Sequence, residues 1–180
     1  MIEENKIANE WLKGDKQVTI IWIDPQTGIK CKGRPDIVYP SIDKPGRITD
    51  LKITNDPHPS AFSKTANKFL YHVQAAMYLQ GLECAKTGRY RNVADQNGDC
   101  ESYGMPFSFI VAEENQPHDV LTYDMDIEST DVGWLIFREA IQRYADCVEA
   151  DNWPGYSQFT ETLSIPRWQV NKVIMEGDFE

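Results

Sequence analysis

The sequence contains 180 residues, and its 18 lysines and arginines against 28 aspartates and glutamates give a formal net charge of −10 at pH 7. This length predicts one domain, spanning residues 1–180, with room for its own hydrophobic core. Hydrophobic residues make up 41% of the chain and charged residues 26%, which excludes disordered and collagen-like proteins. No run approaches the roughly 18 apolar residues of a membrane span, and the sequence does not begin like a secretory signal. We therefore expect a cytoplasmic protein with no membrane partner.

Four cysteines, Cys31, Cys84, Cys100 and Cys147, are spread along the chain without any C-x-x-C pair. This spacing argues against a zinc ribbon, an iron–sulfur site and a disulfide framework, so the sequence predicts reduced thiols. The negative net charge repels nucleic acid at long range. Binding to DNA would therefore need a local track of basic residues.

The first third of the chain is predicted to form a helix followed by a three-stranded meander. The helix, over 3–13, places Ile7, Ala8, Trp11 and Leu12 on one face. The strands are rich in β-branched and aromatic residues and are separated by turn-forming residues. They cover 17–24, 29–39 and 47–54.

The remainder of the chain alternates between helical and extended patterns. Apolar residues recur every three or four positions, as in one long amphipathic helix over 60–86 and another over 129–150. The polar, glycine-containing stretch 88–104 is predicted to be a loop, and we expect an irregular tail from Asp151 onward. The two strands predicted in this part are 107–112 and 120–124.

Polar residues of the second and third predicted strands fall on single faces, because side chains of a strand point alternately to its two sides. One face of the second strand carries a basic track that ends in a carboxylate. The track consists of Lys30, Lys32, Arg34 and Asp36. The same rule places Asp50, Lys52 and Thr54 on one face of the third strand.

Asp36 and Asp50 are equally far along the chain from Asp43, in the middle of the turn between their strands. A symmetric hairpin would set them opposite each other, with Cβ atoms within about 6 Å. Two carboxylates at that distance repel each other, and a divalent cation relieves the repulsion. Oxygen ligands suit Mg²⁺ or Mn²⁺, completed by water and substrate phosphate. With Lys52 beside them to orient water or offset charge on phosphorus, these residues predict hydrolysis of phosphodiester bonds.

The order of these residues resembles the PD-(D/E)xK nuclease superfamily. Gly33-Arg34-Pro35-Asp36 followed by Asp50-Leu51-Lys52 is similar to its catalytic motif. Gln74 and Tyr78 resemble the Q-x-x-x-Y element of the RecB- and RecE-type branch. Two segments of the tail also resemble the end of RecE (exonuclease VIII) sequences. They are Trp153-Pro154-Gly155-Tyr156 and Leu163-Ser164-Ile165-Pro166-Arg167-Trp168.

The resemblance implies a restriction-endonuclease-like α/β fold, with a mixed central sheet of about five strands flanked by helices. It implies that Asp36, Asp50 and the Leu51 carbonyl bind the metal and that Lys52 is the catalytic lysine. The implied catalytic set is Asp36, Asp50, Lys52, Gln74 and Tyr78. The last two would hold the DNA backbone or the active-site water. The predicted DNA contacts are Lys30, Lys32, Arg34, Thr54 and Tyr71.

These residues predict a Mg²⁺- or Mn²⁺-dependent deoxyribonuclease, a RecE-like exonuclease of phage origin that acts on linear double-stranded DNA in recombination. Two alternatives stay open: an inactive DNA-binding or protein-interaction module on the nuclease scaffold, and a metal-dependent endonuclease. The resemblance also implies a ring-shaped homo-oligomer and a single-strand annealing protein as partner. Aromatic residues of the tail, Trp153, Tyr156 and Trp168, are candidates for the contacts between subunits.

Members of this branch usually have an upstream helix whose histidine or glutamate completes the metal site. Only about 16 residues precede the first predicted strand here, and none of them is histidine. Glu10 is the best-placed substitute, although a solvated glutamate is the simpler and favoured interpretation. We therefore expect weak metal binding and low activity of this chain, rescued by Mn²⁺ or by further residues upstream of Met1.

Overall fold

The computed structural model describes residues 2–87, 105–157 and 159–176, so the predicted loop 88–104 and Cys100 lie outside the described residues. The chain divides into two compact units, Met1–Asp146 and Cys147–Glu180. Cys31, Cys84 and Cys147 are free thiols, as predicted.

The first unit contains a mixed five-stranded sheet, which confirms the predicted α/β architecture. Its strands are β1 (Asp15–Lys16), β4 (Ile37–Pro40), β5 (Pro45–Thr54), β6 (Phe107–Glu113) and β7 (Val120–Asp124). They lie side by side in this order, where β5 and β6 are parallel and every other neighbouring pair is antiparallel. Two helices lie between β5 and β6 in the chain, because neighbouring parallel strands must be joined by a long crossover connection.

A separate two-stranded ribbon, β2 (Ile20–Ile23) with β3 (Lys30–Gly33), lies between β1 and β4 along the chain. The predicted three-stranded meander is therefore wrong, because the stretch 29–39 is two strands that belong to different sheets. The interruption contains the buried Pro35. Proline has no backbone N–H to donate to a ladder, so the chain changes partners at this residue.

Four helices accompany the sheet: α1 (Lys6–Trp11), α2 (Pro59–Lys68), α3 (Tyr71–Thr87) and α4 (Ile127–Ala150). The single long helix predicted over 60–86 is wrong, since it is divided into α2 and α3. Leu70 has a φ of 55° at the break, a left-handed conformation that cannot continue a right-handed helix. Tyr71 is therefore the first residue of a new helix, α3.

The main sheet separates two apolar clusters. The larger cluster joins the sheet and the ribbon to α2, α3 and α4 through residues such as Phe62, Phe109 and Trp134. The smaller one packs Ala8 of α1 against Ile37 and Ile110. Ile7, predicted to pack with Ala8, is instead 54% exposed. A helix of six residues can cover only a narrow stripe of the sheet.

The described part of the second unit includes the helix α5 (Arg167–Glu176), so the tail predicted to be irregular is helical over these residues. The Pro166 carbonyl oxygen accepts hydrogen bonds from the backbone N–H groups of Gln169 and Val170 in the first turn of this helix. Trp153, Tyr156 and Trp168 are exposed. No helix in the described part of the chain combines the length and the apolar character needed to cross a membrane.

Candidate active site

The hairpin of β4 and β5 brings Asp36 next to the middle of β5. Its register pairs Ile37 with Thr49 and Val38 with Ile48, so Asp36 lies at the position where the next pair would contain Asp50. Asp36 Oδ2 accepts a hydrogen bond from the backbone N–H of Leu51 at 2.9 Å. The symmetric register predicted from the sequence is confirmed here, although β4 itself begins one residue later, at Ile37.

Asp50, Lys52 and Gln74 form one compact polar cluster between β5 and α3. Lys52 Nζ lies 2.5 Å from Asp50 Oδ2 and donates to Gln74 Oε1 at 3.1 Å. Gln74 Nε2 donates to Asp50 Oδ1 at 2.9 Å. Each side chain therefore contacts the other two, and the glutamine amide fixes the carboxylate relative to the ammonium group.

The Asp50 carboxyl is buried, with only 4% of the residue exposed. Burial raises its pKa, because the charged form loses water, and the nearby charge of Asp36 raises it further. The Lys52 ammonium and the Gln74 amide act in the opposite direction. Burial therefore disfavours the charged form of Asp50, and a cation beside the carboxylate would offset that cost.

Tyr71 supports the cluster from the first turn of α3. Lys52 Nζ lies 4.2 Å from the centroid of the Tyr71 ring, a favourable cation–π distance. The same ring packs against Phe62 and Phe109, at centroid distances of 6.2 and 5.8 Å. This aromatic packing fixes the surface on which the lysine rests.

Tyr78 lies further along α3 and is held by packing contacts. A Cβ atom added to Gly33 would come within 3.0 Å of the Tyr78 ring, so this glycine allows β3 to approach α3 closely. The ring centroid of Tyr78 is 6.3 Å from that of Phe107. The structure thus joins Tyr78 to the ribbon and the core, whereas Gln74 contacts Asp50 and Lys52 directly.

The predicted DNA-contacting residues are distributed over β3, the segment that follows it, the end of β5 and the start of α3. Lys30 and Lys32 are exposed on the outer face of β3. Arg34 donates to the backbone carbonyl oxygen of Gln17 at 3.2 Å and to its side-chain oxygen at 2.7 Å. The hydroxyl of Thr54 donates to the Asp56 carbonyl oxygen at the end of β5, at 3.4 Å. The predicted basic track is therefore interrupted between Lys32 and Asp36, where the chain leaves the ribbon.

Comparison with known proteins identifies the family. A family model described as a PDDEXK-like domain of unknown function, DUF3799, matches residues 1–165. The chain belongs to this PDDEXK-like family. A search of curated proteins gave no significant match.

A solved structure confirms the fold of the PDDEXK-like domain. The crystal structure of a candidate exonuclease from Eubacterium rectale superposes with a TM-score of 0.58 at 16% sequence identity. The alignment covers 94% of this chain and 61% of that protein. The PDDEXK-like domain therefore has the restriction-endonuclease-like α/β fold that the sequence resemblance implies, and it spans less than two thirds of that neighbour's length.

The residues of the PDDEXK-like domain fit a divalent metal ion, which nucleases of this type generally use. Since the N–H and C=O of a strand residue point to the same side, the Leu51 carbonyl faces the edge at which Asp36 accepts the Leu51 N–H. Asp36, Asp50 and this carbonyl provide the hard oxygen donors that Mg²⁺ and Mn²⁺ prefer. Within the described residues, no group of three or more His, Cys, Asp or Glu side chains could hold a metal. An ion held by these donors would take its remaining ligands from water and phosphate.

Glu10, the predicted substitute ligand, is engaged by two side chains that do not belong to this cluster of donors. Its carboxylate contacts Lys13 Nζ at 2.5 Å and accepts a hydrogen bond from the Tyr39 hydroxyl at 2.7 Å. These contacts lower the pKa of Glu10, so the carboxylate is ionised and already paired at neutral pH. The favoured interpretation of Glu10 as an exposed helix residue agrees with this position.

A buried ion pair that the sequence does not reveal supports the ribbon beside the site. Arg138 Nη1 of α4 lies 2.5 Å from Asp24 Oδ2, and Arg138 Nη2 donates to Gln26 Oε1 at 2.8 Å. The other Asp24 oxygen accepts from the backbone N–H and the hydroxyl of Thr27. Asp24 is a turn residue in sequence, and no local pattern connects it to an arginine 114 positions away.

Proposed function

We propose that the PDDEXK-like domain is a Mg²⁺- or Mn²⁺-dependent deoxyribonuclease, a RecE-like exonuclease that acts on linear double-stranded DNA. The observation that carries the proposal is the joint placement of Asp36, Asp50, Lys52 and Gln74 around the middle of β5. Their chemistry suits hydrolysis of a phosphodiester, in which water forms a bond to phosphorus and a sugar hydroxyl leaves.

The proposed roles follow from the contacts of each side chain. Asp36, Asp50 and the Leu51 carbonyl hold the metal, which when bound supplies Lewis-acid stabilisation of charge on the phosphate. Lys52 orients the attacking water and offsets negative charge on phosphorus. Gln74 is a positioning residue, because it keeps the carboxylate and the ammonium group in a fixed relation.

The proposed DNA path uses local positive charge, since the whole chain carries a net charge of −10. Lys30 and Lys32 on the exposed face of β3, with Arg34 beyond them, offer cations for phosphate contacts. In this proposal Thr54 and Tyr71 contact the DNA near the cluster, and Tyr78 supports the ribbon that carries the lysines.

The assembly state is a further part of the proposal. A processive exonuclease of negative net charge needs a way to remain on DNA, and a ring-shaped homo-oligomer provides one. The exposed aromatic residues Trp153, Tyr156 and Trp168 offer surface for contacts between subunits. A single-strand annealing protein would use the strand that the nuclease leaves. Light scattering that gives a monomer mass at high concentration would refute the ring and leave the nuclease proposal intact.

The test of activity is incubation with linear and with covalently closed circular DNA, in Mn²⁺, in Mg²⁺ and in excess chelator. We expect loss of linear DNA with metal, no loss with chelator, and intact circles. Cleavage of circular DNA would instead indicate an endonuclease, and intact DNA under every condition would refute the proposed nuclease activity. Lys52→Ala should abolish cleavage, whereas Lys64→Ala, which removes an exposed lysine of α2, should not.

One observation favours a second candidate, a DNA-binding module without catalysis. Both oxygens of Asp50 are already engaged, one by Lys52 and one by Gln74. A metal must therefore compete with an internal ammonium group for this carboxylate. Binding of linear DNA measured by fluorescence anisotropy, with no cleavage in Mn²⁺ over the same concentration range, would favour this module over the nuclease.

A further inference from the structure

A cavity of about 400 Å³ lies between α2, the strands β6 and β7, and the first turns of α4. Its size is in the range of small-molecule sites. None of the described residues that line it belongs to the polar cluster of Asp50, Lys52 and Gln74. The cavity is therefore a feature separate from the proposed nuclease site.

One wall of the cavity is aromatic and rigidly packed. Phe62 stacks on Tyr123 with ring centroids 5.2 Å apart and meets Phe109 edge-on at 5.6 Å. The Tyr123 hydroxyl donates to the Pro57 carbonyl oxygen at 2.6 Å, which fixes that ring. The mutual packing of these three rings fixes the apolar side of the cavity.

A buried polar side chain also lines the cavity. His72, in the first turn of α3, lines the cavity and is only 9% exposed. Neither of its ring nitrogens is among the fully buried polar atoms that lack a hydrogen-bond partner. An imidazole next to an aromatic wall offers a ring nitrogen to a polar atom of a ligand in the cavity.

The rim of the cavity carries negative charge. Its carboxylates are Asp124, Asp126 and Glu128, and no lysine or arginine is among the described lining residues. Asp124 is paired with Arg47, which leaves two carboxylates to set the charge of the rim. The N-terminus of α4 offsets these negative charges with a partial positive charge of only about half an elementary charge. The rim thus attracts cations and repels the phosphates of nucleic acid.

We propose that this cavity binds a small organic cation that combines a flat apolar body with a protonated amine. The aromatic wall takes the apolar body, the rim carboxylates take the ammonium group, and His72 hydrogen-bonds a polar atom of the ligand. Binding at this cavity is independent of the proposed nuclease activity, because its described lining residues do not belong to the cluster of Asp50, Lys52 and Gln74.

The experiment titrates the full chain with tryptamine and, separately, with indole-3-propionate, which has the same ring and the opposite charge. Binding is followed by NMR, including the ring signals of His72. We expect tryptamine to bind at least fivefold more tightly than the anion and to shift those signals. Equal affinities, or unshifted signals at millimolar tryptamine, would overturn the proposal.

Two variants locate the binding site. Glu128→Gln should weaken tryptamine binding roughly twofold to fivefold, as expected for one exposed charge contact, whereas Glu139→Gln, at an exposed position on the same helix, should leave it unchanged. Val132→Trp fills the mouth from an exposed position, so it need not disturb the core, and it should weaken binding at least tenfold. Unchanged binding by Val132→Trp would overturn the site. Tighter binding of a blocked Trp-Lys dipeptide than of tryptamine would assign the cavity to a peptide and also overturn the proposal.

Discussion

The ion pair between Asp24 and Arg138 provides a sharp test of how the ribbon is held. Arg138→Met keeps most of the side-chain volume but leaves the Asp24 carboxylate, which is 0% exposed, without its cation. Breaking a buried pair in this way costs about 3–5 kcal/mol. The Thr27 N–H and hydroxyl still bind one carboxylate oxygen, so we expect a loss of about 3 kcal/mol, at the lower end.

Asp24→Asn is the complementary change. It removes the negative charge but keeps an oxygen for Thr27, and Arg138 retains its contact with Gln26. We expect a loss of roughly 2 kcal/mol for the weakened charged hydrogen bond. The double variant has neither buried charge. Its loss should therefore be smaller than the sum of the single losses by about 1–3 kcal/mol.

Urea denaturation followed by far-UV circular dichroism measures all three free energies of unfolding. Arg143→Met is the matched control, since Arg143 is exposed on the same helix and its loss should change stability by less than about 0.5 kcal/mol. Additive losses in the double variant, or a loss below about 1 kcal/mol for Arg138→Met, would refute a strong buried pair.

Three further predictions concern other parts of the chain. Gly133→Ala should destabilise the protein by about 2–3 kcal/mol, because the new Cβ would overlap a backbone oxygen of α3. Gly155→Ala, with no atom within 4 Å of its new Cβ, should be nearly neutral, and urea denaturation of the two variants measures both effects. Asp126→Ala should cost about 1 kcal/mol at pH 7, since its carboxylate caps α4. The backbone N–H of Ser129 lowers the pKa of Asp126 in the folded state. The stabilisation by Asp126 is therefore present above the pKa of the unfolded state and is lost as the pH falls through the pKa of the folded state. A difference in stability between variant and parent that grows on acidification would contradict this role. Lys52→Ala and Asp50→Ala should both abolish cleavage, but calorimetry should show loss of Mn²⁺ affinity only for Asp50→Ala, and equal losses would refute the assigned roles.

Local pattern was sufficient to predict the parts of the fold whose interactions lie close together in sequence. The position of Asp36 relative to Asp50 follows from a short turn and strict alternation, and the register of Ile37 with Thr49 confirms it. The strands at 107–112 and 120–124 were found within a residue of β6 and β7, because continuous β-branched and aromatic runs distinguish them from helices.

Other features depend on conformations and contacts that a single sequence does not display. Leu70 continues the apolar spacing of a helix, so the sequence pattern does not predict its left-handed backbone conformation. The contact of Tyr71 with Lys52 depends on where α3 begins relative to β5, which the sequence does not show. The functional roles of Asp36 and Asp50 stay predictions, which the metal and cleavage measurements will test.

The two-stranded ribbon has a consequence for motion near the site. An isolated hairpin is only marginally stable, so β2 and β3 depend on external support, including the Trp22 ring that lies against Gly81 of α3. Regions of this kind open locally with less free energy than the central sheet. Amide hydrogens of the ribbon should therefore exchange with solvent faster than those of β5 and β6. Asp36 follows the ribbon by three residues, but its carboxylate accepts the Leu51 N–H and its backbone carbonyl oxygen accepts the Gln17 N–H. These bonds should hold Asp36 beside Asp50 while the ribbon opens.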